Sequence, residues 1–304
     1  MNATPKWPKI SAFPKCYVDA LSTGKMDLFE WIGMSVDLGA EGLEMYDRFF
    51  PSDDAAYPKR VRGAIERTGQ VCSMLCVSPD FTHPDRTFRA AQVEQHKKAI
   101  DLTAALGASC CRVLSGQRRT DVSRSNGVRW VVESIRQLLP YAESRGVILS
   151  MENHYKDGFW EFPEFAQKAD VFLEIVEQID SPWFGVQYDP SNAVVAGDDP
   201  VALLERVRHR VRSMHASDRY LEPGTSLEEM KQADGTLGYP KNLHHGVVGR
   251  GMNDYDAIFR ILRETGYSGW ISIEDGVNGM DEMKESIDFL KAKITQYWGP
   301  IPAI

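Results

Sequence analysis

Four short apolar runs in the second half of the chain each end on a residue that can bind a metal. They are Ile148-Leu149-Ser150-Met151-Glu152, Phe184-Gly185-Val186-Gln187-Tyr188-Asp189, Val211-Arg212-Ser213-Met214-His215 and Trp270-Ile271-Ser272-Ile273-Glu274. Short apolar runs bounded by polar or turn residues read as buried parallel strands. Charged or imidazole side chains at the carboxyl ends of successive strands are where an α/β barrel places its chemistry. Any one of these residues alone would be an ordinary polar strand end. Together, Glu152, Asp189, His215 and Glu274 predict a site for one divalent metal ion. Two glutamates, an aspartate and a histidine form a hard, mostly oxygen set, suited to Mn²⁺ first and to Mg²⁺ or Co²⁺ as alternatives, and unlike a thiolate-rich structural zinc site.

The elements that must position these residues recur with a regular punctuation of helical segment, glycine turn and apolar strand. Gly39, Gly69, Gly107, Gly146 and Gly266 mark five such turns. Glycine just past a helix takes the left-handed conformation that ends it, and strand after helix, repeated, is the signature of a parallel sheet covered by helices. Eight strands are predicted near residues 9–15, 42–47, 71–78, 109–115, 147–153, 184–189, 211–217 and 270–275. Amphipathic segments Phe88 to Leu106, Val128 to Glu143, Phe165 to Ile179, Pro200 to Val207, Tyr255 to Arg263 and Met280 to Trp298 lie between or after them. The expected fold is α/β, a (β/α)₈ TIM barrel forming a single domain over residues 1–304. A doubly wound open sheet fits less well, because the chain lacks a Gly-rich phosphate fingerprint. Two extended loops follow strands five and seven: Tyr155 to Glu164, rich in aromatics, and Arg219 to Asn253, which contains Pro223, Gly235, Pro240 and the pair His244-His245. Loops of that length in a compact domain are commonly substrate lids, and both belong to the catalytic face.

Composition narrows the partners. The 304 residues carry Lys+Arg 35 against Asp+Glu 43, a formal net charge of -8, with 43% hydrophobic residues. An acidic chain without a basic run argues against nucleic acid, because phosphate binding needs clustered Lys and Arg. No window approaches the roughly 20 apolar residues of a membrane span. Cys16, Cys72, Cys76, Cys110 and Cys111 form no CxxC pair and read as small packed hydrophobes in a reducing cytoplasm.

The motifs Met151-Glu152-Asn153-His154, Tyr188-Asp189-Pro190-Ser191-Asn192, Met214-His215-Ala216-Ser217-Asp218 and Ser272-Ile273-Glu274-Asp275 resemble those of the xylose-isomerase-like barrel superfamily, the sugar-phosphate isomerase/epimerase group. The resemblance covers nearly the whole chain. It implies one divalent ion held by Glu152, Asp189, His215 and Glu274, and a small-molecule sugar or glycoside as substrate. Such an ion acts as a Lewis acid on a sugar carbonyl and stabilises the enediolate left when a neighbouring proton departs. In the superfamily's epimerases the two metal-binding glutamates also carry the proton, which would give Glu152 and Glu274 a second role. The first expectation is therefore a sugar isomerase or epimerase. The alternative is a lyase or hydratase that eliminates a substituent from an oxidised 3-keto sugar or glycoside, such as the catalytic subunit of a C-glycoside deglycosidase. The superfamily's epimerases differ just after the first ligand, and Asn153-His154-Tyr155 therefore leans towards elimination. The resemblance also implies a homo-oligomer or a small partner subunit. A DNA-repair endonuclease of the same fold is disfavoured by seven histidines and the net charge, and a sugar-binding module without catalysis by the intact ligand set.

Further candidates follow from position. His154, two residues past Glu152, points to the same side of a continuing strand and is a candidate proton shuttle. Glu44 and Arg112 are charges inside predicted strands, which contact substrate or each other. Arg219 is expected to bind a substrate oxygen or to pair with Asp218. Trp160 and Phe159 are candidates to stack on a sugar ring or an aglycone. His245, in the longer loop, meets substrate or solvent. His83 is assigned to a βα loop, while His96 and His209 are expected on the exposed faces of helices.

Overall fold

Eight parallel strands hydrogen-bond around a closed ring in the computed structural model, which describes residues 7–51, 54–226 and 242–300. They are β1 (Lys9–Ala12), β2 (Gly42–Tyr46), β3 (Val71–Cys76), β4 (Cys110–Val113), β5 (Ile148–Glu152), β6 (Phe184–Tyr188), β7 (Val211–Ala216) and β10 (Trp270–Ile273). Each neighbours the next in sequence except that β7 pairs with β10, which closes the ring on β1. Between β7 and β10 the chain adds an antiparallel pair, β8 (Asp218–Leu221) and β9 (Leu243–Gly246), with Asp218 opposite Gly246 and Arg219 opposite His245. Sequence reading assigned that stretch to a loop. The segment 227–241, including Gly235 and Pro240, lies outside the described residues.

The helices begin and end where sequence chemistry dictates. Asp85 and Ser123 cap the two longest helices, Arg86–Ala105 and Arg124–Arg145, by accepting the backbone N–H groups of Thr87 and Asn126. Side-chain acceptors at that position satisfy donors that the first turn leaves unpaired. Gly146 ends the second helix with φ 66°, as its glycine signal predicts. An additional short helix, Pro190–Ala196, starts directly after β6; Asp189 is its cap through Asn192 N–H at 2.9 Å. A metal-ligand candidate is thus fixed by the first turn of the helix it starts.

Side chains alternate along each strand. Ile10, Leu43, Leu149, Met151, Val186, Met214 and Ile271 belong to one continuous apolar core. The intervening positions Ser150 and Glu152, Gln187 and Asp189, Ser213 and His215, and Ser272 and Glu274 share the other parity, and their contacts converge inside the barrel. This period of two delivers four polar strand ends to one mouth.

Candidate metal and acid–base site

At the carboxyl ends of β5, β6, β7 and β10, one ligand atom each from Glu152, Asp189, His215 and Glu274 lies within 4.8 Å of all the others, with all four residues buried. His215 is central: its Nδ1 is 3.1 Å from Glu152 Oε1, 3.3 Å from Glu274 Oε2 and 4.0 Å from Asp189 Oδ2. Three carboxylates buried this close repel one another. Burial, with Glu274 and Glu152 adding to it, pushes Asp189 up to about 7. Burial opposes a charged imidazole at His215, yet Glu44, Glu152 and Glu274 raise its pKa well above the ordinary histidine range. Such an arrangement demands positive charge at its centre, and the donor set fits a divalent cation of the hard or borderline class.

Each candidate ligand is held from behind, as metal-site geometry requires. Nε2 of His215 meets Glu44 Oε1 at 2.6 Å and Gln187 Nε2 at 2.6 Å. Glu152 Oε2 accepts from Arg112 Nη1 at 2.8 Å, and its Oε1 accepts from Asn192 Nδ2 at 3.2 Å. Burial would raise the Glu152 pKa, but the charges of His215 and Arg112 bring it down to about 2. Asp189 Oδ1 accepts from Ser217 Oγ at 2.8 Å, and Asn153 brackets the Asp189 backbone with two hydrogen bonds. Glu274 Oε1 accepts from Lys15 Nζ at 2.9 Å; against burial, Lys15 and His215 hold this carboxylate well below its usual range.

A cleft of about 300 Å³ opens beside this cluster, lined by Phe13, Lys15, Arg112, His154, Phe159 and Glu274 among others. Glu274 reaches it with 12% of its side chain exposed, whereas Glu152 has 0%. His154 places Nδ1 3.5 Å from Glu164 Oε2. Burial disfavours its charge, but Glu152 and Glu164 raise its pKa. The turn after β5 is fastened to the barrel by Asp157, which accepts from Ser78 Oγ at 2.6 Å and from Tyr46 Oη at 3.0 Å. Phe159 is 51% exposed beneath the Arg48 guanidinium, 3.7 Å from its ring centre.

Glu152, Asp189, His215 and Glu274 come together as a set, and Arg112 and His154 stand at its edge. Glu44 faces His215, not the cleft. Trp160 is not among the residues lining the cleft, where Phe159 takes the place beside the aromatic Tyr155. Arg219 does not spend its guanidinium on Asp218. The carboxylate of Asp218 instead accepts backbone N–H groups of Arg219, Gly249, Gly251 and Asn253, while the guanidinium sits with His245 and 3.8 Å from Asp275 Oδ1. His245 is 3.0 Å from Asp275 Oδ1 and 19% exposed, so the β8–β9 pair carries it into the protein. His83 is half-buried in the loop before Arg86, stacked on Phe88 at 4.2 Å. His209 is exposed as expected. His96 corrects the expectation: it is 1% exposed and packs inward against Phe81 and Cys111. It lies at helical spacing with the buried Val93, Ile100 and Thr103, and that stripe was the signal for burial.

Sequence reasoning missed Lys15, Gln187, Asp157 and Glu164. Gln187 was recoverable, because it shares the inward parity of β6 with Asp189. Lys15, three residues past β1, had no motif around it.

A family model for the xylose isomerase-like TIM barrel matches residues 33–293. An inosose dehydratase of Clostridium botulinum (strain Alaska E43 / Type E3) is 24% identical over 273 residues, covering 84% of this chain and 85% of that protein. The chain spans less than half the length of several further inosose dehydratases that it matches. Among solved structures, an L-ribulose 3-epimerase superposes with TM-score 0.74 at 16% identity, covering 96% of each chain. The IolI protein with a bound zinc atom superposes with TM-score 0.73 at 15% identity, covering 95% of this chain and 99% of that one.

Proposed function

This chain belongs to the xylose isomerase-like TIM barrel family, and from that premise we propose a divalent-metal-dependent carbohydrate enzyme that removes a proton next to a carbonyl and then eliminates a substituent. The observation that carries this reading is an asymmetry of the cleft: of the residues gathered around His215, Glu274 lines it together with the imidazole of His154, beside Lys15, Tyr46, Tyr155 and Asp157, while Glu152 is closed off. Glu152, Asp189, His215 and Glu274 would hold the ion, with Mn²⁺ our choice for an oxygen-rich set and Mg²⁺, Co²⁺ or Zn²⁺ its competitors. When bound, it supplies Lewis-acid polarisation of the substrate carbonyl.

The residues divide the remaining work. Glu274 takes the proton from the carbon beside the carbonyl, and the C–H electron pair moves towards the carbonyl oxygen as an enolate. His154, with Nδ1 3.5 Å from Glu164 Oε2 and with a raised pKa, gives its proton to the substituent on the next carbon. That substituent leaves with its bonding pair, as water or a released aglycone, and a carbon–carbon double bond forms as the carbonyl is restored. Matching an acid and a base to their tasks in this way is worth on the order of 10²–10⁴ in rate for each. Arg112 and Lys15 fix the two glutamates, and Phe159 with Tyr155 offers an apolar wall for a sugar ring or aglycone. A keto-sugar, keto-polyol or oxidised glycoside fits this division, and the inosose dehydratase relative supports it. The five cysteines form no disulfide, in keeping with the cytoplasm; among the described residues no helix is long and apolar enough to cross a membrane.

A second reading rests on the near-equal approach of Glu152 and Glu274 to His215, at 3.1 and 3.3 Å. Two carboxylates across one centre suit epimerisation, with one removing and the other returning the proton. Incubation of candidate keto-sugars in D₂O with Mn²⁺ separates the two. Elimination yields an unsaturated product or a free aglycone, and epimerisation an isomer enriched in deuterium at one carbon. Absence of exchange and of turnover after metal reconstitution overturns both.

A further inference from the structure

The helices Arg86–Ala105 and Arg124–Arg145 lie side by side on the outer wall of the barrel. Between Arg86 to Val93 of the one and Arg129 to Gln137 of the other is a cleft of about 340 Å³, lined by Arg86, Arg89, Arg129, Trp130, Glu133 and Ser134 among others. Among the described residues, none of the three arginines enters an ion pair, although the chain carries a net charge of -8. Arg89 donates from Nη1 to the carbonyls of His83 and Pro84 at 2.7 and 2.9 Å, and lies 3.9 Å over the Trp130 ring. Arg129 donates to Asn126 Oδ1 at 2.8 Å. Glu133 offers one negative charge to the cleft but bonds to none of these guanidiniums. Burial, together with the like charges of Arg129 and Arg86, pulls the Arg89 pKa below its ordinary value despite Glu133.

The floor adds an independent observation. Ser134 is 4% exposed and lines the same cleft. A buried serine within a helix ordinarily donates back to a carbonyl one turn earlier. Ser134 makes no such bond, and its hydroxyl has no hydrogen-bond partner among the described residues. Three guanidiniums and one spare hydroxyl offer more donors than the two oxygens of a carboxylate accept. They suit a tetrahedral oxyanion, whose several oxygens take forked guanidinium contacts.

We infer that this outer cleft is a binding site for the phosphate group of a small molecule, separate from the barrel mouth. Arg86 and Arg129 close on the anion, Arg89 is held flat beneath them by Trp130, and Ser134 donates from the floor.

Titration of the metal-loaded protein with inorganic phosphate at fixed ionic strength, followed by tryptophan fluorescence, tests it. A saturable change is expected, and it disappears in Trp130→Phe. Arg129→Gln weakens the affinity about tenfold, the scale of one charge-assisted pair, and Ser134→Ala weakens it by a smaller factor. Both variants should keep the wild-type unfolding midpoint in phosphate-free buffer. A response that chloride reproduces, or that Arg129→Gln leaves intact, overturns the inference. So does a response lost in Asp189→Ala, which places the anion at the barrel mouth. A change of sedimentation mass in Arg129→Gln with no phosphate response in the wild type assigns the cleft to a second copy of the chain and also overturns it.

Discussion

Glu44 and His215 meet at 2.6 Å, and the contact uses Nε2, the imidazole nitrogen facing away from Glu152 and Glu274. With an ion bound, that contact would keep the proton on Nε2 and leave Nδ1 for the cation. Partners of this kind are worth about 10–100-fold in metal affinity. Glu44→Gln is therefore expected to weaken Mn²⁺ binding by about that factor, measured by equilibrium dialysis. Wild-type affinity in the variant would remove Glu44 from the metal site.

Among the described residues Asp189, unlike the two glutamates, pairs with neither an arginine nor a lysine; its carboxylate is held by Ser217 and the first turn of a helix. Asp189→Ala should release the ion on dialysis, as elemental analysis would show. Glu152→Gln and Glu274→Gln should each abolish turnover, with at least one of them still binding metal. Near wild-type turnover in Glu274→Gln sinks its double role as ligand and base, and in Glu152→Gln its place in the metal site.

Lys15 holds Oε1 of Glu274, the oxygen opposite the one that meets His215. Lys15→Met leaves that carboxylate free to rotate, and misplacement of a base costs about 10²-fold in rate. The expected result is a fall of that order in kcat with metal affinity changed less than tenfold, and partial recovery in Lys15→Arg. Equal losses of metal and turnover would reduce Lys15 to a support of the metal site.

His96 gives a pH prediction away from the mouth. Burial holds its pKa at about 3, against about 6.5 in an unfolded chain. Between those values the unfolded chain binds a proton that the folded one refuses. Its contribution is present in full above about pH 6.5 and declines as pH falls towards 3, by at most about 1.4 kcal/mol per unit. His96→Leu should flatten that part of the slope in urea unfolding at pH 7 and pH 5. An unchanged difference between the two pH values would mean that His96 charges freely in the fold.

The barrel was legible because its signals are local and repeated. Apolar runs end on polar residues, and glycines such as Gly146 stand where a helix must stop. The clustering of Glu152, Asp189, His215 and Glu274 was legible for the same reason: strand parity places them on one side of four neighbouring strands. What stayed hidden depends on contacts distant in sequence. Lys15 and Glu274 are 259 positions apart, and no periodicity links them. The β8–β9 pairing was masked by polar strands with few β-branched residues, and Arg219 turned to Asp275 because backbone N–H groups had already filled Asp218. His96 was misjudged because its polarity was weighed above its place in an apolar stripe.

Asp275 accepts the backbone N–H of Asp218 and holds His245 while being the next residue to Glu274. The β8–β9 pair is thereby bolted to the peptide unit presenting Glu274, just as Asp157 fastens the turn after β5. Both rims are thus braced by buried carboxylates, Asp275 on one side and Asp157 on the other.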